Sequence, residues 1–149
     1  VGGVEGGQGP RPSVIVLDSS FFLASVLPNR RSGFVASLMR SRAGEFRGPS
    51  LLAFEVVSVL SLREQKGAST AAERATALAV FDSQQIDHDP PPDAPTLDRI
   101  AALAVRFQLT GYDAAFLELA LRHGAELATL DTDLADAATA AGLTVHFTK

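Results

Sequence analysis

Apolar residues are grouped along this chain in two ways, and the two alternate. Short β-branched runs such as 14–17 (Val-Ile-Val-Leu) are bounded by proline or polar residues, which is typical of strands buried on both faces. Longer segments repeat their apolar residues every three or four positions, which is typical of one face of an α-helix. The pattern predicts strands over 14–17, 125–130 and 143–147, and weaker ones at 44–48 and near Ile86.

Helix boundaries follow from capping and helix-breaking residues. Ser50 is a good N-cap, Gly67 suits the position after a helix end, and successive prolines make 88–95 a loop. Helices are predicted over 20–27, 32–41, 50–66, 69–83, 96–107, 110–123 and 134–141. Because strands alternate with helices, we expect an α/β fold in which helices cover both faces of a parallel sheet.

Size and composition indicate one domain. The chain has 149 residues, of which 46% are hydrophobic and 20% charged, and this is enough for a real core. We expect the domain to span 13–149, and residues 1–12, with five glycines and two prolines, to form a flexible tail. The chain has no cysteine and no apolar run of the roughly 20 residues that a membrane span needs. We therefore expect a cytoplasmic protein without disulfides, cysteine chemistry or a membrane anchor.

Four acidic residues stand where a soluble fold usually places apolar or neutral side chains. Asp18 and Asp131 each follow a predicted strand, so both would lie at the carboxyl ends of parallel strands. Glu55 interrupts an apolar helix face, and Asp113 opens a helix, where it could also simply complement the helix dipole. Carboxylates rarely lie in or beside a core unless they are paired or bind a metal. The sequence predicts that these four meet in one pocket.

Carboxylates that converge in this way favour a bound cation. They repel one another, so at least one would otherwise hold a proton at neutral pH. Mg²⁺ or Mn²⁺ removes that conflict, because hard cations prefer oxygen ligands and bridge carboxylates to phosphate. Such an ion polarises a phosphoryl oxygen and lowers the pKa of bound water. The sequence therefore predicts a metal-dependent phosphodiesterase in preference to an acyl-transfer enzyme.

Three polar residues beside the acids are further candidates for the site. Ser19 and Thr129 flank the two strand-end aspartates and could hydrogen-bond a carboxylate or a metal-bound water. Asp133 is either a second metal contact or, as we prefer, the cap of the helix predicted near Leu134.

Positive charge is concentrated locally, although the net charge of the chain is −4 and argues against a broad basic surface. The clustered basic residues are Arg30, Arg31, Arg40, Arg42 and Arg47, with Arg63 and Lys66 further along. They form either an ordinary solvated face or a flank that contacts a phosphate backbone beside the acidic pocket. Both interpretations stay open from the sequence.

Taken together, the segments around the four acids resemble PIN-domain nucleases. Residues 14–20 (VIVLDSS) resemble the first strand of that family, and 52–60 (LAFEVVSVL) resemble its glutamate helix. Residues 109–120 (LTGYDAAFLELA) are similar to its third acidic motif, and 128–134 (ATLDTDL) to its last. The four motifs occur in the family's order, and the resemblance covers 14–147.

The resemblance implies a three-layer α/β/α fold around a short parallel sheet. Together with the compact size, it implies the toxin half of a VapBC-type toxin–antitoxin pair. Such a protein cleaves RNA with Mg²⁺ or Mn²⁺, is usually a homodimer, and is held inactive by an antitoxin. By position, Asp18, Glu55, Asp113 and Asp131 would hold the metal, and Thr129 would support the site.

One departure from the family and two rival functions complete the expectations. Many relatives carry asparagine at the position of Ser58, and serine keeps a hydrogen-bonding group with a shorter reach. A phosphatase of the haloacid-dehalogenase kind would need a second aspartate where this chain has Ser20. The other rival is a non-catalytic protein whose acidic cleft docks a basic peptide.

Overall fold

A central parallel sheet organises the protein. A computed structural model describes residues 13–149, and the predicted tail at 1–12 lies outside the described residues. The sheet within that part has five strands, β1 (Ile15–Leu17), β2 (Phe46–Gly48), β3 (Asp87–His88), β4 (Glu126–Ala128) and β5 (Val145–His146). Their spatial order is β3-β2-β1-β4-β5, and all neighbours are parallel. All three residues of β1 are fully buried, as the unbroken apolar run predicts for a central strand.

Seven helices connect the strands in the described part of the chain. They are α1 (Ser19–Val26), α2 (Ser32–Ser41), α3 (Leu51–Gln65), α4 (Ala71–Ser83), α5 (Ala94–Phe107), α6 (Gly111–His123) and α7 (Thr132–Ala140). Local side-chain chemistry sets several ends. Thr70 and Glu73 form a reciprocal capping box at the start of α4, and the Thr110 hydroxyl accepts the Asp113 N–H at the start of α6. Gly67 and Gly124 follow α3 and α6 with φ of +74° and +58°, a conformation that glycine adopts without strain.

The helices form two layers, one on each face of the sheet. Helices α1 to α4 follow β1 and β2 as the chain moves towards β3, and they pack against one another. Helices α5 to α7 belong to connections that run in the opposite direction, to β4 and β5, so right-handed crossovers place them on the other face. Phe21 and Phe22 of α1 and Phe116 and Leu117 of α6 are fully buried in the two interfaces. The expected three-layer α/β/α architecture is confirmed.

The sequence pattern was least informative at β2 and β3 and at two helix starts. It predicts β1, β4 and β5 from apolar runs, whereas the β2 residues (Phe-Arg-Gly) and the β3 residues (Asp-His) form no apolar run and give only weak strand predictions. Ser50 does precede α3, yet its backbone is already helical (φ −58°, ψ −26°) and its side chain makes no capping bond. The cap of α7 is Asp131, whose side chain accepts the Leu134 N–H, so the preferred role of Asp133 as the cap was wrong.

No helix within residues 13–149 is both long enough and apolar enough to span a lipid bilayer.

Candidate active site

The two strand-end aspartates, Asp18 and Asp131, follow neighbouring strands whose onward connections lead to opposite sides of the sheet. Strands β1 and β4 are neighbours, and the Asp18 N–H, just past β1, donates to the Ala128 carbonyl at 2.9 Å. From β1 the chain turns towards β2, whereas from β4 it turns towards β5. Connections that diverge in this way open a crevice at the carboxyl edge of a parallel sheet, where ligands of such folds usually bind.

Asp18 is nearly inaccessible, with 4% of its surface exposed. Both Ser20 Oγ, at 2.6 Å, and Thr129 Oγ1, at 2.8 Å, donate to its Oδ2 atom. Burial raises the pKa of Asp18 despite these two hydrogen bonds, and the charge of Asp131 raises it further. Neutral hydroxyls therefore orient this carboxylate without neutralising it, and neither of them bonds to Oδ1.

Ser20 is a site residue that the sequence interpretation missed. Besides donating to Asp18, its hydroxyl accepts the Leu130 N–H at 3.0 Å, and so it links the segments that follow β1 and β4. The detectable signal is a hydroxyl residue two positions after Asp18, within the motif that resembles the first strand of PIN-domain nucleases. Ser19, which was favoured instead, donates to Glu55 Oε1 at 3.0 Å.

Glu55 projects from α3 towards the same edge. Partial burial raises its pKa, and the negative charges of Asp18 and Asp113 raise it further. The hydrogen bond from Ser19 acts in the opposite direction because it favours the ionised form. The apolar helix face around Glu55 thus directs this carboxylate into the crevice, as its sequence context predicts.

Asp113 and Asp131 complete the edge, each at the start of a helix. Asp113 lies in the first turn of α6, where burial and the charges of Asp131, Asp18 and Asp133 raise its pKa to about 6. Asp131 caps α7 through Oδ1, while its own N–H donates to Thr129 Oγ1 at 3.0 Å. Thr129 is fully buried and holds both strand-end aspartates.

The four predicted acids, Asp18, Glu55, Asp113 and Asp131, are therefore neighbours, brought together from four separate parts of the chain. We call this group the acidic edge. Repulsion from neighbouring carboxylates opposes the ionisation of Asp18, Glu55 and Asp113, and the oxygen atoms of all four acids are the donors that a hard divalent cation prefers. Within residues 13–149, no three Asp, Glu or His side chains already lie close enough to hold one ion together. The oxygen donors thus fit Mg²⁺ or Mn²⁺, but the side chains would have to move closer together for three of them to bind the same ion.

A groove of about 540 Å³ adjoins this edge. Asp131 and Ser20 lie on its wall together with the side chains of Arg30, Arg31 and Arg63. The rest of its lining is mainly apolar and comes from α1, from the turn after it and from Leu130. The acidic edge and a basic, partly apolar groove are therefore continuous.

The other predicted residues lie apart from the groove lining. Arg42 bonds to Glu45 and Glu126 at the amino end of the sheet. Arg47 pairs with Asp87 of β3 and with Asp89, which follows that strand. Arg40 is exposed on α2. Ser58 is exposed one turn after Glu55, and Asp133 is exposed in the first turn of α7.

Comparison with known proteins places this geometry in a family. A model of the PIN domain matches residues 15–140. The comparison with curated protein sequences finds no match.

Three solved structures have the same fold. PAE2754 from Pyrobaculum aerophilum has a TM-score of 0.70 at 20% identity, over 89% of this chain and 90% of that one. VapC20 of Mycobacterium tuberculosis, a toxin that cleaves the sarcin–ricin loop, has a TM-score of 0.66 at 18% identity, over 87% and 96%. VapBC2 from Rickettsia felis, bound to a DNA fragment from its promoter, has a TM-score of 0.61 at 13% identity, over 91% and 99%. Since the family model covers most of the chain and the acidic edge lies where the sheet changes direction, this protein belongs to the PIN domain family.

Proposed function

We propose that this protein is a metal-dependent endoribonuclease and the toxin of a toxin–antitoxin pair. The observation that carries the proposal is a gathering of four carboxylates that have no cationic partner in the part of the chain that the structure describes. None of the ion pairs among residues 13–149 includes Asp18, Glu55, Asp113 or Asp131. Neighbouring carboxylates raise the pKa of Asp18, Glu55 and Asp113, and acids in such surroundings without a cationic partner among the described residues are suited to an external cation.

The three aspartates and the glutamate have different roles in the proposed reaction. Asp18, Asp113 and Asp131 hold the ion, and Glu55 is a further ligand or orients the attacking water. When bound, Mg²⁺ or Mn²⁺ supplies polarisation of a phosphoryl oxygen and a more acidic water.

The hydroxyls around the acids set their orientation. Ser20 and Thr129 both hold Oδ2 of Asp18, which leaves Oδ1 free of their hydrogen bonds. Ser19 holds Glu55 in the same way. Hydrogen bonds of this kind fix the direction in which a carboxylate presents its oxygens. Asp133 and Ser58 are candidates for weaker support of the site from its rim.

The proposal that the protein is a toxin is supported by solved structures of similar fold. VapC20 is described as a toxin that cleaves the sarcin–ricin loop, and VapBC2 was solved bound to a DNA fragment from its promoter. By analogy we propose a cytoplasmic protein that cleaves RNA, forms a homodimer and is neutralised by an antitoxin. Membership of the PIN family disfavours the haloacid-dehalogenase alternative.

The test is RNA cleavage by the purified protein with Mg²⁺ or Mn²⁺ and with EDTA. Asp113→Asn should lower cleavage by more than about 100-fold, because it removes a ligand and not merely a supporting group. Asp136→Asn is the matched control, since Asp136 is an exposed aspartate of α7 outside the acidic edge. The control should cleave RNA at the wild-type rate.

Two results would contradict the proposal. One is equal cleavage by wild type and Asp113→Asn, which would trace the activity to a contaminant or to another site. The other is the absence of any defined stoichiometry when Mn²⁺ is titrated by calorimetry, together with no cleavage. That combination would favour the rival interpretation, an acidic cleft that docks a basic peptide.

A further inference from the structure

The arginines among residues 13–149 divide into two groups according to their partners. Five of them form ion pairs with carboxylates: Arg42, Arg47, Arg74, Arg99 and Arg122. The three that line the groove next to the acidic edge, Arg30, Arg31 and Arg63, take part in no ion pair within residues 13–149. Two further arginines, Arg40 and Arg106, are unpaired in the same range but exposed and outside the groove, so the groove is where unpaired arginines are grouped.

Arg63 shows this most clearly. Its Nε atom is shielded from water and has no hydrogen-bond partner among the described residues. The Nε atom of Arg47 is also shielded without a hydrogen bond, but it lies 3.8 Å from a carboxylate oxygen of Asp89. A shielded donor without a partner costs about 1–3 kcal/mol. Arg63 lies two helical turns after Glu55 on α3, so one helix carries both a site carboxylate and this guanidinium. The protein without ligand bears this free-energy cost beside the acidic edge, where a bound ligand can offset it.

The groove combines charge with apolar surface. Leu23, Leu27, Pro28 and Leu130 form part of its lining, between the arginines and Asp131. A simple anion would use the arginines alone. A nucleotide uses both kinds of surface, because its phosphate is anionic while its base and ribose are flat and largely apolar. The net charge of −4 makes this local cluster, and not the protein as a whole, the source of attraction for a polyanion.

We propose that this groove binds the nucleotide adjacent to the scissile phosphate of a single-stranded RNA, with Arg63 as the residue that binds its phosphate. Arg30 and Arg31 contact the same stretch of backbone from the turn between α1 and α2. The apolar lining covers the base and the ribose. This inference rests on the proposed function, since the groove is assigned to the substrate of the acidic edge.

The test measures RNA affinity in protein that cannot cleave. In the Asp113→Asn background, a fluorescent single-stranded RNA of about eight nucleotides is titrated by anisotropy at several salt concentrations. Arg63→Gln should weaken binding by about 10-fold and reduce the slope of log Kd against log salt by about 0.7, the value for one lost contact with a single strand. Arg63→Lys should keep the slope, because it keeps the charge.

Arg106→Gln is the matched control for the loss of one charge. Arg106 is exposed near the end of α5, over the ring of Phe107, and it does not line the groove. This variant should bind RNA as the parent protein does. With the catalytic acids intact, Arg63→Gln should raise KM by a similar factor and leave kcat nearly unchanged, as expected for a contact made equally before and during the reaction. Thermal melting should show no loss of stability, because Arg63 has no ion-pair partner to lose among the described residues.

The outcomes separate this inference from the proposed function. If wild type cleaves RNA, Asp113→Asn does not, and Arg63→Gln still binds RNA with the parent affinity and salt slope, the groove assignment fails while the nuclease stands. If Arg63→Gln retains RNA affinity but escapes inhibition by the cognate antitoxin, the groove is a protein-docking surface and the inference is overturned. If wild type does not cleave RNA with any divalent metal, the proposed function itself fails.

Discussion

Two carboxylates in this protein are almost equally buried but have opposite surroundings. Glu118 on α6 is 3% exposed, and both Arg99 and Arg122 bond to it. Asp18 at the sheet edge is 4% exposed, and its side chain accepts hydrogen bonds from the hydroxyls of Ser20 and Thr129 and from the Ser19 backbone, with no ion pair to a cation among the described residues. The fold therefore supplies an internal cation to one buried acid and withholds it from the other.

The same contrast extends to partly buried acids. A hydrogen bond from Arg42 lowers the pKa of Glu126, which also contacts His146. Burial and neighbouring acids raise the pKa of Asp113 to about 6. Acids that hold elements together are neutralised within the protein, whereas the acids of the site are left to repel one another. This difference is physical support for an external cation at the site and is open to direct measurement.

Removing a paired acid should cost the most stability. Glu118→Ala is expected to lower the free energy of unfolding by about 2–3 kcal/mol, because two arginines lose their common partner. Urea unfolding measures the loss, and Asp98→Ala, at an exposed position of α5, is the control and should stay within about 0.5 kcal/mol of wild type. A loss below about 1 kcal/mol for Glu118→Ala would contradict the claim that its ion pairs with arginines stabilise the fold.

Adding a divalent cation should relieve the unpaired acids. At a Mn²⁺ concentration about 100 times Kd, binding to the native state is expected to stabilise the protein by about 2.7 kcal/mol. A thermal melt measures this as a rise in Tm. The rise should be lost in Asp113→Asn and kept in Asp136→Asn. Equal rises in both variants would mean that the ion binds somewhere other than the acidic edge.

Without metal, stability should depend on pH in the direction set by Asp113. Its pKa is near 3.8 when unfolded and about 6 when folded, so the native state binds the proton more tightly. The stabilising contribution is complete below pH 3.8 and is lost as pH rises through 6. Asp113→Asn should therefore be more stable than wild type at pH 7.5 by about 1 kcal/mol, a value reduced for solvent screening, and not at pH 3.5. Urea unfolding in EDTA tests this, and a variant less stable than wild type at both pH values would refute it.

The smallest effect is expected at Glu126, with the opposite pH dependence. Because Arg42 lowers its folded pKa, Glu126 contributes stability above its usual value of 4.5 and loses it as pH falls through the folded pKa. Its side chain is 24% exposed, so Glu126→Gln should cost about 0.5–1 kcal/mol at pH 7. The difference from wild type should shrink in unfolding curves recorded at acidic pH. A difference that grows there would reverse the proposed sign.

Local pattern was sufficient to predict much of the fold. Buried apolar runs identified β1 and β4, and helix ends were predicted to within about two residues because caps and glycines act locally. The alternation of strands and helices also placed Asp18 and Asp131 at one sheet edge, since parallel strands share their carboxyl ends. The resemblance of four ordered motifs pointed to the family that the PIN domain model then matched.

The sequence alone thus determined where the acids are and which elements carry them, because helices and strands follow from local patterns and their alternation implies a parallel sheet. Only the tertiary structure decided which charges meet. Arg42 and Arg63 look alike in sequence, yet Arg42 bonds to Glu126, whereas Arg63 lines the groove without an acidic partner in the described part of the chain. Ser20 likewise gained its role only when the ends of β1 and β4 came together. Side-chain partners come from contacts between residues far apart in the chain, and no local pattern encodes them.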